Sequence, residues 1–246
     1  MSKELAIVIP AYNEEACIQQ VIGDWYQGIS KIVNPENFVL LVVNDGSKDN
    51  TGKLLDELTP NFPSLKVVHQ VNAGHGMAVV NGYKQALTFQ PEYVFQTDSD
   101  DQFLVSDFSK LWDNRKKSKF ILGFRQIRHD AFFRLIITRI LKYSLLFIYG
   151  TSIADANIPY RLIEGKFLEK LIDALPKKTP FAPNIFLSVM SKKAGQDVMN
   201  IPIEHVERQT GEVSIRHFKL LKVCWQSFKE LWSFRFNLNS IVKNLK

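Results

Sequence analysis

Cysteine is nearly absent from this chain: Cys17 and Cys224 are the only two in 246 residues, and they form no CxxC pair. That count excludes a disulfide scaffold and a thiolate zinc site, and it makes a reducing compartment the expected setting. Histidine is scarce as well, and the five (69, 75, 129, 205 and 217) show no metal-ligand spacing. Long apolar runs are missing. The longest stretch without a charge, residues 67–83, contains Asn, Gln, two His and three Gly, so no segment reads as a transmembrane helix. The opening MSKELAIVIPAYNEE turns polar directly after a strand-length apolar run, which suits a core strand better than a secretory leader.

Acidic residues are missing from two particular places. Residues 1–114 carry 15 Asp and Glu against 7 Lys and Arg, but residues 115–142 carry 1 against 9 and residues 213–246 carry 1 against 7. The formal net charge of +6 therefore comes from two basic blocks beside an acidic first half. Such blocks suit phosphorylated ligands, nucleic acid or an anionic membrane, and composition does not choose among them.

What is present is alternation. Apolar, β-branched runs at 5–10, 38–43, 65–70, 92–97 and 120–124 read as strands, and 14–26, 50–58, 76–89 and 106–116 read as helices. This predicts an α/β chain with a mostly parallel central sheet flanked by helices. The runs AIVI and FVLLVV are apolar at every position, as strands covered on both faces must be. Ligands of such sheets bind beyond the C-terminal strand ends. The polar clusters at those ends are 12–15, 44–50, 72–76 and 98–102.

The densest is QTDSDDQF, with Asp98, Ser99, Asp100 and Asp101 at a strand end. Three close carboxylates repel one another, so a hard cation such as Mg²⁺ or Mn²⁺, shared with substrate phosphates, is one reading; a solvated helix-capping turn is the other. In VVNDGSKDNT, Asp45 followed by Gly46 can accept from a base N–H or a ribose hydroxyl, or can simply form an Asp-Gly turn. The same segment fails as a P-loop, with five residues between Gly46 and Gly52 and Leu54 after Lys53, and GHGMAV lacks the third glycine of a dinucleotide fingerprint. Asn72, Gly74 and Gly76 open a helix where small residues let a ligand approach backbone amides, with His75 between them either touching a ligand or solvated.

The clusters AIVIPAYNEE, VVNDGS, NAGHG and TDSDDQ, in this order, resemble the nucleotide-sugar half of family 2 glycosyltransferases of GT-A type. The later blocks GFRQIRHDAFFR, GTSIADANIPYRL and IPIEHVERQTGEVS are similar to those of the polyprenyl-phosphate sugar transferases, the group of dolichyl-phosphate mannose synthase. The resemblance spans residues 4–216 and implies a GT-A domain over 1–214, with a nucleotide-sugar half (1–125), an acceptor half (126–214) and an amphipathic helical segment over 215–246. It implies that Pro10, Tyr12, Glu14 and Asp45 hold the nucleoside, joined by Asn72, Gly74, Gly76, Ser99 and Arg125 around the nucleotide sugar. Asp98 and Asp100 match the DxD element, which with Gln102 would hold Mg²⁺ or Mn²⁺. Arg208 and Ser214, in RQTGEVS, are matched to an RxxGxS element with one residue more before the serine, and Arg134 to a phosphate-facing arginine; Arg208 is expected in catalysis, Arg134 and Ser214 at the acceptor phosphate. Asn44 replaces an acidic residue, and Pro159 a glycine, of many relatives.

The basic blocks fit the acceptor side of that resemblance. On a wheel of about 100° per residue, Arg134, Thr138, Lys142 and Arg139 of AFFRLIITRILKYSLLFIYG share one arc, and the rest is apolar. The segment 215–236 likewise opposes Lys219, Lys222, Lys229 and Glu230 to Leu221, Trp225, Phe228, Leu231 and Trp232. Basic helices rich in Trp and Phe suit a headgroup layer, and packing on the catalytic domain is the alternative for 215–236. Nucleic acid is not the expected partner, because no reader motif is present. The expectation is a hexosyltransferase, peripheral on the cytoplasmic face of a membrane, moving sugar from a nucleoside-diphosphate donor to a polyprenyl phosphate. Transfer to a glycan or lipid-linked oligosaccharide, and a non-catalytic chain that binds an integral membrane enzyme, are the alternatives.

Overall fold

β1 (Leu5–Ala11) and β2 (Phe38–Asp45) are buried at every residue, which is why their sequences show no alternation. They pair in parallel, and β3 (Leu65–Gln70) and β4 (Tyr93–Gln96) extend the parallel sheet on either side. The structure, a computed structural model, describes residues 2–125, 132–206 and 217–245. Its sheet has seven strands in the order β3-β2-β1-β4-β6-β5-β7. The expected α/β architecture with a mostly parallel central sheet is therefore present, with two strands the periodicity did not reveal. β6 (Arg161–Glu164) lies antiparallel between β4 and β5 (Phe120–Arg125), and β7 (Val198–Ile203) runs parallel to β5 at the edge. β6 is four residues long and opens with an arginine, while β7 carries Asn200 and Pro202 on its exposed positions. Pro202 is tolerated because an edge strand leaves one row of N–H groups unpaired in any case.

Helices cover the sheet. α1 (Ile18–Ser30) buries Ile18, Val21, Ile22, Trp25 and Ile29, the spacing of one helical face. It starts four residues later than the predicted 14, because residues 13–15 are tied to the loop after β2. α2 (Thr51–Leu58) and α3 (His75–Leu87) match their expected spans within two residues. Gly82 lets α3 lie directly on β1, since a Cβ there would stand 2.4 Å from Cγ1 of Val8. The expected helix over 106–116 is a 3₁₀ turn at Val105–Asp107 followed by the short α4 (Phe108–Trp112).

The second half contributes α5 (Phe132–Tyr149), α6 (Gly165–Asp173), α7 (Pro183–Lys193) and the 29-residue α8 (His217–Leu245). α8 packs against α5, α6 and α7. Leu231, Phe234, Leu238 and Leu245 are buried from it, and the Phe234 ring meets Phe186 edge-on at 5.0 Å. The C-terminal segment thus shares the core of the rest of the chain. Its opposite side leaves Trp225, Trp232 and Phe236 exposed.

Arg161 is completely buried where β6 meets α7. Its guanidinium donates to the carbonyls of Ala156, Ile158 and Asn184, tying the loop before β6 to the first turn of α7. Burial lowers its pKa to about 10, with Tyr83, Asp155 and Asp98 opposing the shift.

Candidate active site

Because β1 to β4 run in one direction, the loops that leave them meet at one edge of the sheet. The first two are laced together. The amide of Asn13 donates to Oγ of Ser47 (3.0 Å), and Lys48 N–H returns a bond to Oδ1 of Asn13 (2.8 Å). Glu14 N–H donates to Oγ1 of Thr51 at 2.8 Å, and Asn50 donates to Oε2 of Glu15 from both its amide and its side chain. These bonds hold residues 13–15 out of the helix that their composition favours.

Asp45 organises the third loop. Its Oδ1 accepts from Gln70 Nε2 (2.7 Å) and from Ala73 N–H (2.8 Å), and its Oδ2 accepts from Gly74 N–H (2.9 Å). The Asp45 carbonyl accepts from Asn72 Nδ2 at 2.9 Å. A carboxylate oxygen can accept twice, so Oδ2 keeps one position for a further donor. Gly46 has φ of +65°, and a Cβ there would lie 2.6 Å from the Asn72 nitrogen, so only glycine permits this crossing. Neighbouring Asn44 is integrated by a different chain of bonds: it accepts from Ser47 N–H and meets Nδ1 of His69, whose Nε2 lies 3.0 Å from Asp56.

Together the loops enclose a cleft of about 400 Å³ lined by Pro10, Tyr12, Glu14, Asp45, Asn72, Gly74, Asp98, Ser99 and Asp100, all expected from the sequence. Ala11, His75, Ala78 and Phe181 complete its walls. His75 begins α3 with Nε2 3.9 Å from Oδ1 of Asp98. Desolvation at the cleft lowers the pKa of this half-exposed imidazole, while the carboxylates of Asp100 and Asp45 act in the opposite direction. Cys17 joins two walls: its thiol reaches Oε2 of Glu14 at 3.5 Å and the Ser99 carbonyl at 3.4 Å.

Several expected site residues take other positions. The carboxylate cluster divides: Asp101, at φ of +57°, is outside the cleft, and its pKa is raised by burial and by Asp24. Gln102 does not line the cleft; its Nε2 donates to the Val206 carbonyl (3.2 Å), and Val206 N–H returns a bond to the Gln102 carbonyl. This bond holds residue 206 at the end of the DSDDQ turn. Gly76 is not open to a ligand either. A Cβ there would stand 2.5 Å from the Phe181 carbonyl oxygen, so the close approach belongs to the chain's own loop. Arg125 pairs with Asp155, with Nη2 2.9 Å and Nε 3.0 Å from Oδ2, rather than entering the cleft. Arg208 and Ser214 lie outside the described residues, as does the side chain of Arg134 on α5.

Among the described residues no three His, Cys, Asp or Glu side chains converge as a ready-made metal cage. Asp98 and Asp100 in the cleft are a donor set of another kind. Two hard carboxylates suit an ion that takes its remaining ligands from substrate phosphates and water, the usual manner of Mg²⁺ and Mn²⁺. The residues present fit such an ion. The start of the 13-residue α3 at Gly74 and His75 adds the positive end of a helix dipole to the same cleft.

Comparison with known proteins places the chain among sugar-transfer enzymes. The model of the family "Glycosyl transferase family 2" matches residues 6–180. Undecaprenyl-phosphate 4-deoxy-4-formamido-L-arabinose transferase of Proteus mirabilis is 22% identical over 242 residues, covering 97% of this chain and 71% of that protein. Polyprenol monophosphomannose synthase of Mycolicibacterium smegmatis is 26% identical over 214 residues, covering 83% and 78%. Among solved structures, glucosyl-3-phosphoglycerate synthase of Mycobacterium tuberculosis, in complex with Mn²⁺, UDP-glucose and phosphoglyceric acid, superposes with a TM-score of 0.69 at 18% identity, covering 95% of this chain and 80% of that one.

Proposed function

Because this chain belongs to glycosyl transferase family 2 and is a glycosyltransferase, we propose that it transfers a hexose from a nucleoside-diphosphate sugar to a polyprenyl phosphate at a membrane surface. The observation that carries this reading is the meeting of Asp98 and Asp100 with Pro10, Tyr12 and Asp45 in one cleft, in a chain similar over most of its length to two polyprenyl-phosphate sugar transferases.

Each group then has a task. Tyr12 and Pro10 offer a wall for the base and ribose, and the remaining acceptor position of Asp45 Oδ2 receives a donor N–H or O–H from the nucleoside. The diphosphate lies toward Asp98, Asp100 and the positive end of α3, where a bound Mg²⁺ or Mn²⁺ would supply charge neutralisation of the leaving nucleoside diphosphate. The acceptor phosphate is already anionic at neutral pH, so the chain need not remove a proton to make it nucleophilic. Catalysis then rests on holding the phosphate oxygen in line with the anomeric carbon, opposite the leaving group, and direct displacement inverts the configuration. Arg208 and Ser214 are assigned to the phosphates by the likeness of RQTGEVS to an RxxGxS element, and the bond from Gln102 holds Val206, two residues before Arg208 in sequence, at the DSDDQ turn.

The acceptor requires a lipid surface. No described helix is long and apolar enough to cross a membrane. α5 instead exposes Ile140, Tyr143, Leu146 and Phe147, and α8 exposes Trp225, Trp232 and Phe236 beside Lys229 and Arg235. Aromatic and basic side chains together suit the cytoplasmic headgroup layer.

Incubation of the purified protein with Mn²⁺, labelled UDP- or GDP-hexoses and vesicles containing a polyprenyl phosphate tests the proposal. Label is expected in a monoglycosyl phosphate lipid, and Asp98→Asn and Asp100→Asn are each expected to lower the rate by a factor of about 10² or more. Label found only in an oligosaccharide, or full activity in both variants, would refute it.

A further inference from the structure

Phe181 is the cleft wall that no sequence motif announced. It sits between Pro180 and Pro183 on the loop joining α6 to α7, with 41% of its surface exposed. This loop is fastened on two sides. On one, the carbonyls of Pro180 and Phe181 press against Gly76 in the first turn of α3, within 3.0 Å and 2.5 Å of where a Cβ would be. On the other, the Phe181 amide donates to Oε2 of Glu230 on α8 at 3.0 Å. The Glu230 carboxylate is itself oriented, because its Oε1 accepts from Nε2 of Gln226 at 3.0 Å.

Glu230 is the one acidic residue in the basic segment 213–246, and its charge is directed at a main-chain amide of the cleft wall. The space behind the loop is not filled. A cavity of about 270 Å³ separates Pro176, Lys178 and Pro180 from Glu230, Ser233 and Asn237. Packing therefore supports this side of the loop poorly, and a charge-assisted hydrogen bond is the stronger tie.

We propose that Glu230 is a positioning residue for the donor site: by accepting the Phe181 amide, it holds the Phe181 ring as the wall against which the nucleoside-diphosphate sugar packs, so that donor affinity depends on α8. This rests on the reading of the cleft as a donor site.

The test uses the full chain, with Mn²⁺–UDP and Mn²⁺–GDP as calorimetric probes and hydrogen exchange as a readout that needs no ligand. Glu230→Ala is expected to weaken the better-bound nucleotide about five- to tenfold. Glu230→Gln is expected to stay within about twofold of wild type, because an amide oxygen still accepts the Phe181 N–H. Phe181→Ala should weaken binding comparably, and the double variant should lose little more, the mark of two residues acting as one unit. Exchange of amides 177–182 should accelerate in Glu230→Ala and stay unchanged in β1 and β2. If Phe181→Ala does not fold, Phe181→Leu replaces it with the same expected direction. Wild-type affinity in Glu230→Ala, equal losses in Glu230→Gln and Glu230→Ala, or unchanged exchange in the loop would each overturn the proposal. Accelerated exchange in a protein whose wild type binds neither nucleotide would place the error in the donor reading, and the proposal would fall with it.

Discussion

At the scale of single residues, two glycines at the same sheet edge carry different constraints. Gly46 and Gly74 both have positive φ, at +65° and +88°. A Cβ at Gly74 meets nothing within 4 Å, whereas one at Gly46 would collide with the Asn72 backbone. Gly74, with ψ of 155°, sits in a backbone region that essentially only glycine adopts, so Gly74→Ala is expected to cost about 1–3 kcal/mol from backbone strain alone. Gly46→Ala must add a backbone shift, and denaturant unfolding should show it to be the less stable of the two. Arg161 has the opposite character, being large, charged and fully buried. Arg161→Met removes the donors from the carbonyls of Ala156, Ile158 and Asn184. Unsatisfied buried acceptors make a loss of about 3–5 kcal/mol the expected outcome in urea unfolding. Arg161→Lys should rescue little, because a single ammonium cannot reproduce the spread of the guanidinium fork.

At the scale of elements, α8 has two faces with separate tasks. Leu231, Phe234, Leu238 and Leu245 recur at helical spacing and enter the core, while Trp225, Trp232 and Phe236 recur on another side and remain exposed. The wheel drawn from the sequence put Leu231 and Trp232 on one apolar face, and the structure separates them. The reason is that two partners, the core and the surroundings, each take an apolar stripe, and hydrophobicity alone does not distinguish them. If the exposed stripe meets anionic lipid, Lys229→Glu should weaken co-sedimentation with phosphatidylserine vesicles by roughly 30-fold, since each basic residue near such a surface contributes about 1 kcal/mol and reversal removes one attraction and adds one repulsion. Trp232→Glu should weaken it as well, and neither change should alter the unfolding midpoint by more than a degree or two in the absence of vesicles. Loss of vesicle binding by unfolding alone would appear as a lowered midpoint.

At the scale of the whole molecule, the metal proposed at Asp98 and Asp100 is expected to matter for ligand binding rather than for folding. One core runs through the described sheet and helices without converging on a cage of ligating side chains. Chelation with EDTA is therefore expected to leave the midpoint of the ligand-free protein unchanged. Nucleoside diphosphate should behave differently: with Mn²⁺ present and at 100 times its dissociation constant it should stabilise the fold by about 2.7 kcal/mol, and EDTA should abolish most of that gain. Stabilisation that survives chelation would show that the cleft binds the diphosphate through helix dipole and side chains alone.

The sequence by itself determined the parallel half of the sheet and the residues at its active edge. Runs such as FVLLVV are buried on both faces wherever they are placed, and parallel strands must present their C-terminal loops together, so Asp45, Asn72 and Asp98 had one place to meet. Tertiary structure alone decided the rest. The short β6 was inserted against the direction of its neighbours, and its arginine gave no strand signal. Gln102 found Val206 at a separation of 104 residues, and Phe181 found Glu230 at 49. Gly76, which looked like room for a ligand, proved to be room for the Phe181 loop. Local periodicity reports which side of an element is buried, but carries no record of which distant segment will cover it. That choice is made by shape and hydrogen-bond satisfaction once the chain has closed on itself.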